Sequence, residues 1–191
     1  MTCLGRVVTA SLAAVLFMTG CATAAPSERN PAVLVEGETY APAIDLANFD
    51  NPIINDYLPL QPGFAWVYEG GDERVEVTVT DQTKVIMGVT TNVITDKVFV
   101  DGQLQEDTVD WYAADDFGNV WYFGEQTAEY ENGAVTTTAG SWEAGVDGAL
   151  PGILMLADPR VGDVYRQEFY EGQAEDVAKV YELDQSITVP A

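Results

Sequence analysis

The chain has 191 residues, and 31 acidic against 8 basic residues give it a formal net charge of −23. A surface of this charge repels nucleic acid and anionic lipid headgroups, which argues against direct binding to either. The sequence contains no histidine, which excludes Ser-His-Asp and Cys-His nucleophiles and histidine-ligated zinc. Three interpretations of the acidity remain open: solubility in a saline habitat, attraction of divalent cations, and recognition of a cationic partner or wall component.

The first residues of the chain predict an export signal. Arg6 precedes an apolar stretch over residues 7–18, which is shorter than the roughly 20 residues that a membrane-spanning helix needs. Residues 16–21, LFMTGC, resemble the bacterial lipobox, whose cysteine receives a diacylglycerol. We therefore predict a lipoprotein signal peptide over residues 1–20, lipid attachment at Cys21, and an extracytoplasmic protein anchored in the cell membrane or outer membrane. The alternative is an ordinary secretion signal cleaved at residues 22–24, ATA.

The next segment is predicted to be a flexible tether over residues 21–55, because it contains four prolines and no helical or strand period of useful length. No disulfide is expected in the mature chain, since Cys3 lies in the signal and Cys21 would carry the lipid. Residues 56–191 are then a single domain, long enough to bury a sizeable core by itself.

Turn signals predict antiparallel hairpins throughout this domain, and no stretch resembles an amphipathic helix. Residues 74–80, RVEVTVT, alternate with period two and form the first hairpin with residues 64–69. Two-residue type I′ turns are predicted at residues 101–102 (DG) and 132–133 (NG). A longer loop at residues 115–119 completes a third hairpin, so a meander of strands results.

These turns also predict pairing. The DG turn places Lys97 opposite Glu106, an exposed pair worth about 0–1 kcal/mol. The loop before residue 120 brings the Trp-Tyr pair at 111–112 opposite that at 121–122, which concentrates aromatic area in one hairpin. Residues 120–123, VWYF, are apolar on both faces, so another segment must cover the second face of this strand.

The predicted cover is the Gly- and Pro-rich segment 140–159, with an apolar plug at residues 153–156. Residues 164–170 and 177–183 have strand-like texture again. We expect an all-β antiparallel meander that forms a curved half-barrel or a lipocalin-like barrel beneath this covering loop. The chain stops soon after residue 187, so we expect either an edge blunted by proline or a sheet that lacks its closing strands.

Several blocks of the domain resemble a broad group of uncharacterised bacterial exported proteins. The blocks are residues 57–68 (YLPLQPGFAWVY), 110–113 (DWYA), 116–125 (DFGNVWYFGE) and 140–148 (GSWEAGVDG). The resemblance implies an extracytoplasmic β domain, related in shape to lipocalin-like or half-barrel lipoprotein carriers. It implies no activity and no catalytic residue. Chains of that group usually continue into further strands, which would leave this sheet unclosed.

Carboxylate chemistry is the one enzymatic scheme that the composition permits. Glycosidases use two acids about 5–10 Å apart, and Glu125, Glu143 and Asp147 lie near tryptophans in the sequence. With 31 acids in the chain, such a pair is expected by chance, so we predict a protein that is not an enzyme. A glycoside hydrolase is the minor alternative.

One loop supplies candidate calcium ligands. Asp115, Asp116 and Asn119 offer side-chain oxygens around a glycine, as part of a calcium loop does. The EF-hand spacing and its flanking helices are missing, so a plain hairpin turn is favoured. No cofactor other than calcium is expected.

Two functions remain open. The first is a membrane-tethered binding module for a small apolar or amphipathic ligand, held between the curved sheet and its covering loop. Its candidate pocket residues are Trp66, Tyr68, Trp111, Trp121, Phe123, Trp142 and Leu154. The second is a non-catalytic envelope structural or interaction protein, with an interior filled by its own side chains and an acidic face for a cationic partner. A packed interior around Trp121 favours the second function and an open pocket favours the first. No protein partner can be named from the sequence.

Overall fold

The computed structural model describes residues 33–34 and 39–188. In this part of the chain the protein is all-β, and its antiparallel sheet curls into a half-barrel of seven strands, which confirms the predicted fold class. No helix in the described part is long and apolar enough to cross a bilayer. The predicted signal peptide and the lipid site at Cys21 lie outside the described residues.

The strands follow one another as a meander. They are β1 (Ala65–Gly70), β2 (Glu73–Ile86), β3 (Val89–Val100), β4 (Gln103–Ala114), β5 (Val120–Glu131), β6 (Ala134–Thr137), β7 (Trp142–Glu143), β8 (Leu150–Met155), β9 (Val164–Arg166), β10 (Glu168–Phe169) and β11 (Val177–Lys179). The half-barrel has the order β1-β2-β3-β4-β5-β8-β10, and β6 and β7 also pair with β5. Strands β9 and β11 form a separate two-stranded sheet.

A β-bulge shifts the pairing that the DG turn predicts. Asp101 and Gly102 have φ angles of +48° and +71°, as a type I′ turn requires. The register then shifts between Val98 and Phe99, so Lys97 faces Asp107 and not Glu106. The Lys97 Nζ atom lies 3.0 Å from Asp107 Oδ2. The prediction was therefore wrong by one residue, because a bulge adds a residue to one strand only.

Strand β2 is longer than its alternating pattern predicts. It continues to Ile86 across an irregularity between Val79 and Thr83, and it turns into β3 at Met87 and Gly88. These two residues have φ angles of +50° and +86°. Methionine is not a usual turn residue, so this hairpin could not be predicted from its turn residues.

Strand β5 organises the half-barrel because three strands pair with its free side in succession. Strand β6 pairs near Glu131, β7 pairs with Gly124, and β8 pairs with residues 120–122. Gly124 has a φ angle of +134°, and a Cβ atom there would lie 2.3 Å from the carbonyl oxygen of Trp142. Only glycine fits this close approach of β7 to β5.

The buried strand segment 120–123 is covered on both faces, as predicted, but not by the predicted segment alone. On one face the Phe49 ring lies with its centroid 6.3 Å from that of Trp121 and 5.9 Å from that of Phe123. On the other face Trp142 packs edge-on against Tyr122 at 5.2 Å. The predicted covering loop, residues 140–159, supplies Trp142, and eight of its residues form β7 and β8 beside β5.

Several residues in the described part of the predicted tether contact the domain. A 3₁₀ helix at Leu46–Phe49 begins at Asp45, whose side chain accepts a hydrogen bond from the backbone N–H of Ala47. Asn55 is 2% exposed, and its side chain donates a 2.7 Å hydrogen bond to the Gly118 carbonyl. In the structure, residues 39–55 therefore lie against the domain that was predicted to begin at residue 56.

The two-stranded sheet extends this contact towards the N-terminus. Val33 forms an antiparallel bridge with Tyr165, and the Leu34 N–H donates a 2.7 Å hydrogen bond to the Val164 carbonyl. The segment thus adds backbone pairing to the free side of β9. Strands β1 and β10, the two ends of the main sheet, do not pair with each other in the described part, so the half-barrel is open.

Candidate functional site

The structure separates the predicted pocket residues into two groups. Trp111, Trp121, Phe123 and Trp142 are buried in the core, and Leu154 packs against it. Trp66 and Tyr68 belong to the edge strand β1, where the Tyr68 side chain is 57% exposed. The interior around Trp121 is filled by side chains of the protein itself, Phe49 included.

Two clefts lie elsewhere in the described part. The first, about 150 Å³, lies between residues 49–61 and the neighbouring ends of β3 and β4. The second, about 420 Å³, lies between Tyr57, Met155, Tyr165 and Leu183. None of the seven predicted pocket residues lines either cleft.

The candidate calcium ligands hold the hairpin between β4 and β5 together. Asp115 accepts hydrogen bonds of 2.8–3.0 Å from the backbone N–H groups of Phe117 and Asn119, the Asn119 side chain and the Trp121 indole. Asp116 Oδ1 accepts one of 2.8 Å from a backbone N–H. Among the described residues no group of three or more acidic or cysteine side chains is placed to hold a metal ion.

The carboxylates considered for glycoside hydrolysis do not face one another. Glu143 forms an ion pair with Lys84 at 2.8 Å, and the Lys84 ammonium lies 3.3 Å from the centre of the Trp111 ring. Glu125 belongs to the opposite face of the sheet, where it bonds to Tyr122. Asp147 is exposed in the turn before β8.

A cluster of carboxyl groups on that opposite face was not foreseen from the sequence. We call it the acidic cluster; its members are Asp96, Glu106, Asp110, Glu125 and Glu168. The pairing of neighbouring strands brings the first four of these residues together. Strand β3 pairs with β4 through Asp96 and Thr108, and β4 pairs with β5 through Asp110 and Glu125. The fifth, Glu168, comes from β10.

The bulge at Gly124 creates this cluster. Tyr112 pairs with Tyr122, but Asp110 pairs with Glu125, so β5 has one residue more than β4 between these two pairs. In a regular strand, residues three apart lie on opposite faces. The extra residue returns Glu125 to the face of Tyr122, and it therefore lies beside Asp110.

Aromatic side chains bind the acidic cluster through hydrogen bonds. The Tyr122 hydroxyl oxygen lies 2.7 Å from Asp110 Oδ1 and 2.7 Å from Glu125 Oε2. The Trp142 indole N–H donates a 2.8 Å hydrogen bond to Glu168 Oε2. The Tyr112 ring contacts the Tyr122 ring edge-on at 4.8 Å.

Burial and mutual repulsion raise the pKa values of four members of the cluster. Asp110 is 4% exposed, and burial, together with the charge of Glu125, raises the pKa of its carboxyl to about 7. Burial and then the Glu125 charge raise the pKa of Glu168 to about 7 as well. Burial is also the main cause of the raised pKa values of Asp96 and Glu125.

The cluster has no cationic counterpart in the described part of the chain, where no ion pair reaches any of its five carboxyls. Asp96 Oδ1 is buried and accepts no hydrogen bond from any described group. Carboxylates buried without cations or full hydrogen bonding cost folding free energy, so this face is less stable than its packing alone would make it.

Comparison with known proteins found no matching family model, no similar curated protein and no similar solved structure. The function must therefore be argued from the residues and their geometry.

Proposed function

We propose that the protein is a non-catalytic interaction protein of the cell envelope, which uses its acidic cluster to recognise a cationic segment of a partner. The observation that carries the proposal is the gathering of five carboxyls on one face without a described ion pair, in a chain of net charge −23. A cation that enters this field gains Coulomb energy and relieves the repulsion among the carboxyls.

One neighbouring aromatic ring supports a cationic partner. Tyr122 and Trp142 are buried, but Tyr112, which packs edge-on against Tyr122, is only partly buried. Aromatic faces attract ammonium and guanidinium groups by about 0.5–2 kcal/mol. A segment rich in lysine or arginine would satisfy both chemistries, since its charged ends meet carboxylates and its stems cover the ring. The packed interior around Trp121 supports the interaction protein over a carrier with an enclosed apolar pocket.

Binding of a decalysine peptide, measured by calorimetric titration at low and physiological salt, tests this recognition. The double variant Asp96→Asn with Glu106→Gln removes two charges from the cluster and should weaken binding by on the order of tenfold. The matched control is Glu131→Gln with Glu171→Gln, two exposed acids outside the cluster, which should change binding less than threefold. Equal losses in the two double variants would show a diffuse charge effect and no recognition face.

The cellular location belongs to the same proposal. The lipobox-like run at residues 16–21 supports lipid attachment at Cys21, which would hold the domain outside the cytoplasm. Labelling with radioactive palmitate should mark the wild-type protein and leave Cys21→Ser unmarked. An unlabelled wild type would contradict the anchor and favour the cleaved secretion signal.

A second candidate is recognition of a small amphipathic ligand. The observation that favours it is the cleft of about 420 Å³, whose apolar walls Met155, Tyr165 and Leu183 are joined by the acidic side chains of Glu182 and Asp184. Cavities of this volume hold small molecules in other proteins. Native mass spectrometry of protein purified from its own membrane decides between the candidates, since a ligand that copurifies in constant proportion would support the second.

A further inference from the structure

One hydroxyl group in the acidic cluster contacts two carboxyl groups. The Tyr122 oxygen lies 2.7 Å from Asp110 Oδ1 and 2.7 Å from Glu125 Oε2, both at the distance of a strong O–H to O hydrogen bond. A tyrosine hydroxyl has one proton and can donate only one hydrogen bond, and an ionised carboxylate can only accept. If both acids were ionised, one of the two contacts would join two oxygens with no proton between them.

Both contacts are satisfied when one carboxyl keeps its proton. That carboxyl donates to the tyrosine oxygen, and the tyrosine donates to the other carboxylate. We propose that Asp110 and Glu125 hold a single proton between them through Tyr122, and that this proton acts as a pH-sensitive latch on strands β7 and β10. The latch goes beyond the proposed function and does not depend on any partner.

The latch acts on the shortest elements of the half-barrel. Strands β7 and β10 have two residues each, so few backbone hydrogen bonds hold them. Trp142 of β7 packs on the Tyr122 ring at 5.2 Å and bonds to Glu168 of β10. Loss of the shared proton leaves both Asp110 and Glu125 charged beneath the contact of Trp142 with Tyr122. The repulsion between the carboxylates then destabilises β7 and β10, which have the least backbone pairing.

Among the described residues, the charged groups that act on the proton pair are acidic. Asp96 faces it from β3, Glu106 and Tyr112 from β4, Glu168 from β10, and Asp176 from the loop before β11. On the opposite face, Lys84 and Lys97 form ion pairs with Glu143 and Asp107. Arg166 forms its described ion pair with Glu175. Nothing in this set favours two ionised carboxyls side by side.

The sign of the pH dependence follows from linkage. Burial and the Glu125 charge raise the pKa of Asp110 to about 7, whereas a free aspartate titrates near about 4. An acid with a raised pKa binds its proton more tightly in the folded state. The stabilisation is therefore complete below about pH 4 and is lost as the pH rises to about 7, above which it no longer changes.

Hydrogen exchange measures the latch directly. After correction for the intrinsic rate, exchange of the β7 amides should rise between pH 5 and 7 and then level off. The rise is up to about tenfold per pH unit for each proton released, and the Asp110–Glu125 pair and Glu168 release one each. Glu125→Gln should lower the slope of the exchange rate against pH by the contribution of one proton. The introduced amide donates a hydrogen bond to Tyr122 at every pH, so no proton is shared between positions 110 and 125. The substitution does not remove the rise, because Glu168 titrates in the same range. The matched control Glu131→Gln, an exposed acid of the same strand, should behave as the wild type.

Carbon-13 NMR of the side-chain carboxyls gives a second measurement that needs no variant. At pH 5.5 the spectrum should show one proton retained by the Asp110–Glu125 pair, lost in a step near neutral pH. Two fully ionised carboxyls at pH 5.5 would overturn the proposal. So would a pH dependence of β7 exchange that is the same in Glu125→Gln and the wild type.

Discussion

Phe49→Ala tests whether residues 39–55 are part of the fold or a tether. Phe49 lies against Trp121 and Phe123, which are 3% and 0% exposed, and it keeps part of its own surface in water. Removing a fully buried phenylalanine side chain costs about 3–5 kcal/mol. The partial exposure of Phe49 lowers this to about 2–3 kcal/mol, which corresponds to a fall of roughly 5–10 °C in Tm for a domain of this size.

Urea unfolding followed by tryptophan fluorescence measures the change, because Trp121 lies directly beneath the Phe49 ring. The matched control is Phe117→Ala in the loop before β5, where the side chain is 58% exposed and the cost should stay within about 0.5 kcal/mol. If Phe49→Ala unfolds at the wild-type urea concentration, the segment does not pack and the tether prediction from the sequence was right for these residues.

Two further substitutions test the local geometry of β5 and of the hairpin before it. Gly124→Ala should cost on the order of 3 kcal/mol or more, because its Cβ would lie 2.3 Å from the Trp142 carbonyl oxygen at a φ angle of +134°. Gly133→Ala, at a φ angle of +77° with open space around it, should cost only about 1 kcal/mol, and equal thermal shifts would contradict the close approach. Asp115→Asn replaces an acceptor oxygen by a donor amide among four donors and should cost about 2–4 kcal/mol of unfolding free energy. Asp116→Asn keeps the side-chain oxygen that accepts the hydrogen bond from the Asn51 N–H. Urea unfolding should therefore show a change in unfolding free energy below about 1 kcal/mol.

The turns and the alternating strands could be predicted because their signals are local. A DG or NG pair fixes positive φ angles at two adjacent residues, and the structure has these angles at residues 101–102 and 132–133. Across the NG turn Tyr130 pairs with Val135, as a two-residue turn requires. The buried segment at residues 120–123 was predictable for the same reason, since apolar residues on both faces of one strand need cover wherever the strand lies.

The acidic cluster was not predictable because it depends on bulges and on distant partners. The register shift near Val98 moved the partner of Lys97 by one residue, and the bulge at Gly124 moved Glu125 to the face of Asp110. A glycine within a strand is compatible with a bulge, but the sequence does not say which face follows it. Packing of Phe49 was hidden likewise, because a Pro-rich stretch has the composition of a linker whether or not it docks.

If Cys21 carries a lipid, the pairing of Val33 with Tyr165 limits how far the domain can lie from the membrane. If Cys21 carries the lipid, twelve residues join the bilayer surface to this fixed point, and a fully extended chain spans at most about 3.3–3.6 Å per residue. The greatest distance from the membrane surface to Val33 is then about 40 Å. This is roughly a third of the distance that a fully extended tether from Cys21 to residue 55 would allow. Under that condition the domain would stay within this distance of the membrane and could meet only partners that come to the membrane surface.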